Sequence, residues 1–65
     1  MTVILNGRTR ELQGVQTVEE LIQALSIHRM IVVQRNGAIV PRGEYAEAPV
    51  CEGDVLEIVH FVGGG

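Results

Sequence analysis

The run Val55-Leu56-Glu57-Ile58-Val59-His60-Phe61-Val62, followed by Gly63-Gly64-Gly65, decides how this chain folds. It is the longest and most apolar β-like stretch in the sequence. Such near-continuous runs belong to strands covered by neighbours on both sides. The last strand is therefore expected in the middle of the sheet. Within it Glu57 marks the wet face, because an unpaired buried carboxylate is expensive. Alternation then puts Val55, Glu57, Val59 and Phe61 on an open face, and Leu56, Ile58, His60 and Val62 on the other.

Working outward, Glu52-Gly53-Asp54 reads as the turn before this strand. Two other β-like runs each end in Asn-Gly: Thr2 to Asn6, then Gly7, and Met30 to Arg35, then Asn36-Gly37. A type I′ hairpin turn needs positive φ at both central residues, which Asn-Gly supplies. Arg8 to Gln13 is the returning strand of the first hairpin, polar enough for an edge. Ala38-Ile39-Val40 is the short returning strand of the second, stopped by Pro41. Between the hairpins, Thr17-Val18-Glu19-Glu20 has the form of a capping box. Val18, Leu21, Ile22 and Leu25 follow at i, i+3, i+4 and i+7, one apolar stripe of a helix. That helix is expected to end near Ser26 to Arg29, with His28 beside its negative pole. Arg42 to Pro49 is a polar connection with room for one helical turn, anchored by Tyr45.

The order β-β-α-β-β-β, with one helix for one sheet face, predicts an α+β fold. It is the ubiquitin-like β-grasp roll: a five-stranded mixed sheet, one main helix packed on one face, the last strand parallel to the first. We expect residues 1–62 to form the domain and 63–65 a flexible C-terminal glycine tail. With Val3 and Leu5 inward, Ile4 faces outward and is expected beside Val59 and Phe61. These three side chains, with His60 and Gly63, are the candidate partner-binding surface.

Composition narrows the function. The chain has 65 residues, 46% of them hydrophobic, which is material for one small core. A single cysteine, Cys51, excludes an internal disulfide, and no Cys/His spacing suits zinc. Five arginines against eight acidic residues give a net charge of −3, a poor profile for nucleic-acid binding. No run approaches the roughly 20 apolar residues of a membrane span. A lone thiol and an N-terminus without a basic-apolar leader point to the cytoplasm. There is no lysine, so no side chain can accept an isopeptide bond.

The side chains offer little chemistry of their own. Cys51 has no basic neighbour in sequence, and Glu52 and Asp54 disfavour its thiolate. His28 and His60 lack further ligands at a metal spacing, so no metal site is expected. The glycine tail has two readings, a frayed end or a functional one. Three residues without Cβ reach about 10 Å in the slimmest form a polypeptide has. They could carry the Gly65 α-carboxylate into another protein's active site.

The chain resembles the ThiS family, the small sulfur carriers of thiamine biosynthesis. The resemblance lies in Leu5-Asn6-Gly7, Thr17-Val18-Glu19-Glu20-Leu21, Arg35-Asn36-Gly37, Val40-Pro41-Arg42, Tyr45, Gly53-Asp54 and Glu57 through Gly65. It implies a carrier, not an enzyme, whose reactive group is the Gly65 carboxylate with Gly64 before it. A ubiquitin-activating-type adenylyltransferase (ThiF) would spend ATP on an acyl-adenylate. A cysteine desulfurase would supply the sulfur, leaving a thiocarboxylate (1-thioglycine at Gly65). Thiazole synthase (ThiG) would take that sulfur, and no bound cofactor is implied. A small subunit of molybdopterin synthase, a ubiquitin-like modifier and a plain interaction module remain as alternatives.

Overall fold

A computed structural model gives the architecture and describes residues 1–61. Val62 and the glycines at 63, 64 and 65 lie outside the described residues, and with them the expected domain boundary at 62/63. The elements are β1 (Thr2–Leu5), β2 (Arg8–Glu11), α1 (Val18–Ala24), β3 (Ile31–Arg35), β4 (Ala38–Val40), a 3-10 turn (Arg42–Glu44) and β5 (Val55–His60). They form the five-stranded mixed sheet in the order β2-β1-β5-β3-β4, with β5 parallel to β1 and antiparallel to β3. This is the β-grasp arrangement, with the last strand in the centre.

Both hairpins turn on left-handed backbone. Asn6 and Gly7 have φ of 50° and 80°, and Asn36 and Gly37 have 51° and 86°. Each asparagine also uses its side chain on β5. The Asn6 carbonyl oxygen accepts from the Ile58 N–H at 2.8 Å, and its NH2 donates to the Ile58 C=O at 3.2 Å. On the other flank, Asn36 accepts from the Val55 N–H at 2.9 Å. Side-chain amides thus extend the ladders past the points where β1 and β3 turn away.

The helix begins at the capping box. The Thr17 hydroxyl accepts from the Glu20 N–H at 3.2 Å, and the Glu20 carboxylate accepts from the Thr17 and Gln16 amides. The next free N–H groups, those of Val18 and Glu19, donate to the Ala48 and Tyr45 carbonyls, both at 2.9 Å. The loop after the 3-10 turn therefore caps the helix from outside, with Tyr45 as its half-buried anchor. The helix ends earlier than expected. Ser26 adopts a φ of 55°, donating to the Gln23 C=O, while Ile27 donates to the Ile22 C=O. These are the two bonds of a Schellman ending, which usually carries glycine where Ser26 stands. His28 therefore lies beyond the helix, exposed, rather than at its last turn.

One face of the sheet and α1 enclose Val3, Leu5, Val18, Leu21, Val33, Leu56 and Ile58, with Leu12, Val15, Val40 and Val50 around them. Leu56 is 0% exposed, whereas Val59 and Phe61 on the opposite face are 56% and 51% exposed. Glu57 and Val55 share that open face, as the alternation requires.

Asp54 is the buried charged residue among those described, at 6% exposure. Its carboxylate accepts from Arg35 Nε at 2.7 Å, Asn36 Nδ2 at 3.1 Å and the Cys51 N–H at 2.8 Å. Burial pushes this carboxyl up, but Arg35, the Cys51 amide and the Asn36 amide together outweigh it and hold the group below its ordinary value. The network ties the Cys51–Asp54 turn to the β3–β4 hairpin, fixing where β5 starts.

Two consequences are measurable. Leu56→Ala should cost about 2–5 kcal/mol. A domain this size has only ~3–10 kcal/mol in total, so the variant should be largely unfolded near body temperature. A melting curve close to that of the parent would show that the strand faces are reversed. Asp54→Asn should cost roughly 1–3 kcal/mol at neutral pH. A depressed folded pKa contributes stability above the unfolded value, near pH 4, that is lost as pH falls through the folded one. The gap between variant and parent in urea unfolding should therefore narrow from pH 7 to pH 3. A gap that stays constant would contradict the assigned charge state.

Candidate functional site

β5 delivers the chain to the C-terminal end of the sheet's centre, so the surroundings of Phe61 are the surroundings of the tail's root. On the open face Val59 pairs with Val32 of β3. The Phe61 N–H donates to the Met30 carbonyl at 3.2 Å, extending the ladder one rung and bringing Met30 alongside. Cross-strand partners share a face. The apolar patch at the root is thus Val59, Phe61, Val32 and Met30, with Met30 itself 53% exposed.

Ile4 is not part of it. The parallel register pairs Ile4 with Val55, six residues before Phe61 and therefore about 20 Å along the strand. Ile4 does face outward, but beside Val55 at the far end of the face. Between the two apolar ends lies a polar waist, where Glu57 pairs with Gln34. The expected trio of Ile4, Val59 and Phe61 fails because a parallel strand's register cannot be read from its alternation. Met30 and Val32 join the patch through the antiparallel register of β3 against β5, a pairing of runs distant in sequence. Pairing the third β-run against the last would have signalled them.

His60 pairs with Ile31 on the helix side of the sheet. It lies past the covered area and is exposed, on the rim rather than in the core. Gly63, Gly64 and Gly65, the expected reactive end, lie outside the described residues.

Cys51 departs from its sequence reading. It is exposed, and Arg35 Nη2 lies 3.6 Å from its Sγ. The basic neighbour comes from β3, sixteen positions away in sequence. That guanidinium is committed to Asp54, whose hydrogen bond, against a smaller effect of burial, raises its pKa further. Cys51 sits at the N-terminal end of β5, opposite the root of the tail. A concavity of about 440 Å³ lies between β4 and the 3-10 turn, lined by Arg35, Ile39, Pro41, Glu44 and Pro49 among others. It too is remote from Phe61. Among the described residues no three His, Cys, Asp or Glu side chains come together as metal ligands, and no helix is long and apolar enough to cross a membrane.

The described residues thus hold a scaffold and an exposed apolar patch, and no assembled catalytic cluster. The chain is similar to known proteins along its whole length. The model of the ThiS family matches residues 3–65. The sulfur carrier protein ThiS of Bacillus subtilis is 36% identical over 63 residues, covering 94% of this chain and 96% of that protein. A thiazole synthase of Paramagnetospirillum magneticum is 44% identical over 66 residues, taking in all of this chain but only 20% of its own length. The crystal structure of the thiamine biosynthesis protein ThiS from Geobacter metallireducens superposes with a TM-score of 0.85 at 30% identity, covering both chains in full. With the fold, the central last strand and the match through the final glycine in agreement, the chain belongs to the ThiS family.

Proposed function

We propose that this protein is a sulfur carrier of thiamine biosynthesis, a protein substrate for partner enzymes rather than a catalyst. The observation that carries the reading is the family match running through Gly65 on a domain whose central strand leads into that tail. The Gly65 carboxylate is a poor electrophile. An adenylyltransferase of the ThiF kind activates it: a carboxylate oxygen attacks the α-phosphorus of ATP and pyrophosphate leaves. The terminal sulfur of a persulfide, made by a cysteine desulfurase, then attacks the acyl carbon and AMP leaves. A second thiol cleaves the resulting acyl disulfide and releases the thiocarboxylate. The sulfur is held as a soft, anionic nucleophile that never circulates free.

Thiazole synthase is the acceptor. The support is that a segment similar to this whole chain forms about a fifth of a longer polypeptide of that name. A carrier tethered to an enzyme is held there at high effective concentration, an arrangement useful only if the two must meet. We place these steps in the cytoplasm, where ATP and persulfide sulfur are both at hand.

Incubation with ATP, the adenylyltransferase and the persulfide source should raise the intact mass by about 16 Da, one oxygen exchanged for sulfur. Deleting Gly65, or replacing Gly64 with a bulky residue, should abolish that gain and leave the melting curve unchanged. Cys51→Ser should retain it. Full thiocarboxylate formation in the Gly64 or Gly65 variants would refute the assignment. A second expectation concerns the patch. Fully burying a Phe is worth roughly 1.5–3 kcal/mol, and Phe61 is already half buried. Phe61→Ala should weaken binding to the partner enzyme about tenfold with little change in thermal stability. Unaltered affinity in a titration would remove Phe61 from the interface.

A further inference from the structure

The main-chain groups of a central strand are normally paired on both sides. In β5 the sides alternate. Val55 is served by Asn36, and Phe61 by Met30, on the β3 side. Asp54, Leu56 and Ile58 are served from the β1 side: Asp54 and Leu56 by the Ile4 and Asn6 amides, and Ile58 by the two ends of the Asn6 side chain. The same alternation turns the N–H and C=O of His60 toward β1. By then β1 has ended and the chain has turned back at Asn6-Gly7. Toward β3 the hydrogen-bonded positions are Val55, Glu57, Val59 and Phe61, which makes Ile31 and His60 a non-hydrogen-bonded pair. On the other side the β1 pairing stops at Leu56, and the Asn6 side chain reaches only Ile58 among the described residues.

We propose that this open stretch of the β5 edge receives an extended segment of thiazole synthase, added as a short strand in line with β1 at the root of the tail. The proposal rests on the functional reading above. The chemistry required is one donor and one acceptor at the spacing of a β-rung, about 7 Å beyond the rung that Asn6 fills. An extended backbone supplies both. The flanking side chains suit such a guest. Val59 and Phe61, each about half exposed, stand on one side of His60 to meet its apolar residues. The outer edges of the sheet suit it less. β2 is exposed throughout and carries Arg8, Arg10 and Glu11. β4 has three residues and stops at Pro41. Pairing at His60 would also set the tail in register, five residues before the Gly65 carboxylate.

The test uses the full chain and thiazole synthase. In the free chain the His60 amide should exchange with solvent rapidly, and in the complex at least about tenfold more slowly, as a newly bonded amide does. His60→Pro removes the N–H; His60→Ala keeps it and removes the imidazole. The proline variant should bind about tenfold more weakly than the alanine one, the loss of one hydrogen bond. If the proline variant does not fold, an amide-to-ester replacement of the Val59–His60 bond removes the same donor and keeps the side chain. A complex in which the His60 amide exchanges as fast as in the free chain, or equal affinities for the two variants, would overturn strand addition alone. No complex with the unaltered chain would overturn the functional reading, and this surface with it.

Discussion

A strand in the middle of a sheet must find hydrogen-bond partners along both edges, and here that strand is β5, the last of the described elements. β5 meets the requirement with help from both hairpins. β1 and β3 supply main-chain partners for part of its length, and the amides of Asn6 and Asn36 supply more. An asparagine suits these places for two independent reasons. It tolerates the left-handed backbone that the turn demands. Its side chain also carries a donor and an acceptor in the geometry of a peptide group. One residue type thus turns the hairpin and clamps the strand beside it, and a substitution that satisfied only the turn would leave β5 groups unpaired.

Asp54 adds the register. Its carboxylate joins Arg35 and Asn36 on the β3–β4 hairpin to the Cys51 amide in the turn before β5. A shift of β5 by one residue would break this group and would also turn Leu56 and Ile58 out of the core. The charge and the hydrophobic face therefore specify the same alignment. A small domain needs such agreement, since a core of eleven buried apolar residues among those described leaves little margin for alternatives.

Much of this was legible in the sequence because it depends on local chemistry. Asn-Gly declares a hairpin, Thr17 with Glu20 declares a helix start, and Glu57 declares which face of β5 is wet. The features that were not legible depend on partners distant in sequence. Ile4 has the right face but the wrong end, because register in a parallel pair follows from the whole crossover. Cys51 acquires Arg35 only when β3 and the turn before β5 meet. The helix ends at Ala24, with Leu25 as its cap, because Ser26 takes a left-handed conformation that glycine usually signals, so the stop carried no local marker. For the site, the open face of β5 was readable and its lateral neighbours Met30 and Val32 were not. The expected reactive glycines rest on the sequence and the family alone.

On the proposed function, the reactive group is a chain terminus, and this changes what the fold has to provide. A terminus needs no pocket, no general base and no oxyanion donors from its own domain, because the partner supplies them. It needs a fixed point of departure. A tail leaving an edge strand would start from backbone that frays on one side. A tail leaving β5 starts from a strand held on the β3 side at Phe61 and, on the β1 side, by the Asn6 side chain at Ile58. Among the described residues, the flank of β5 left open beside His60 lies where β1 has turned away. A sheet that placed its last strand at the edge could bury the same core, but it would hold the point of departure from one side only.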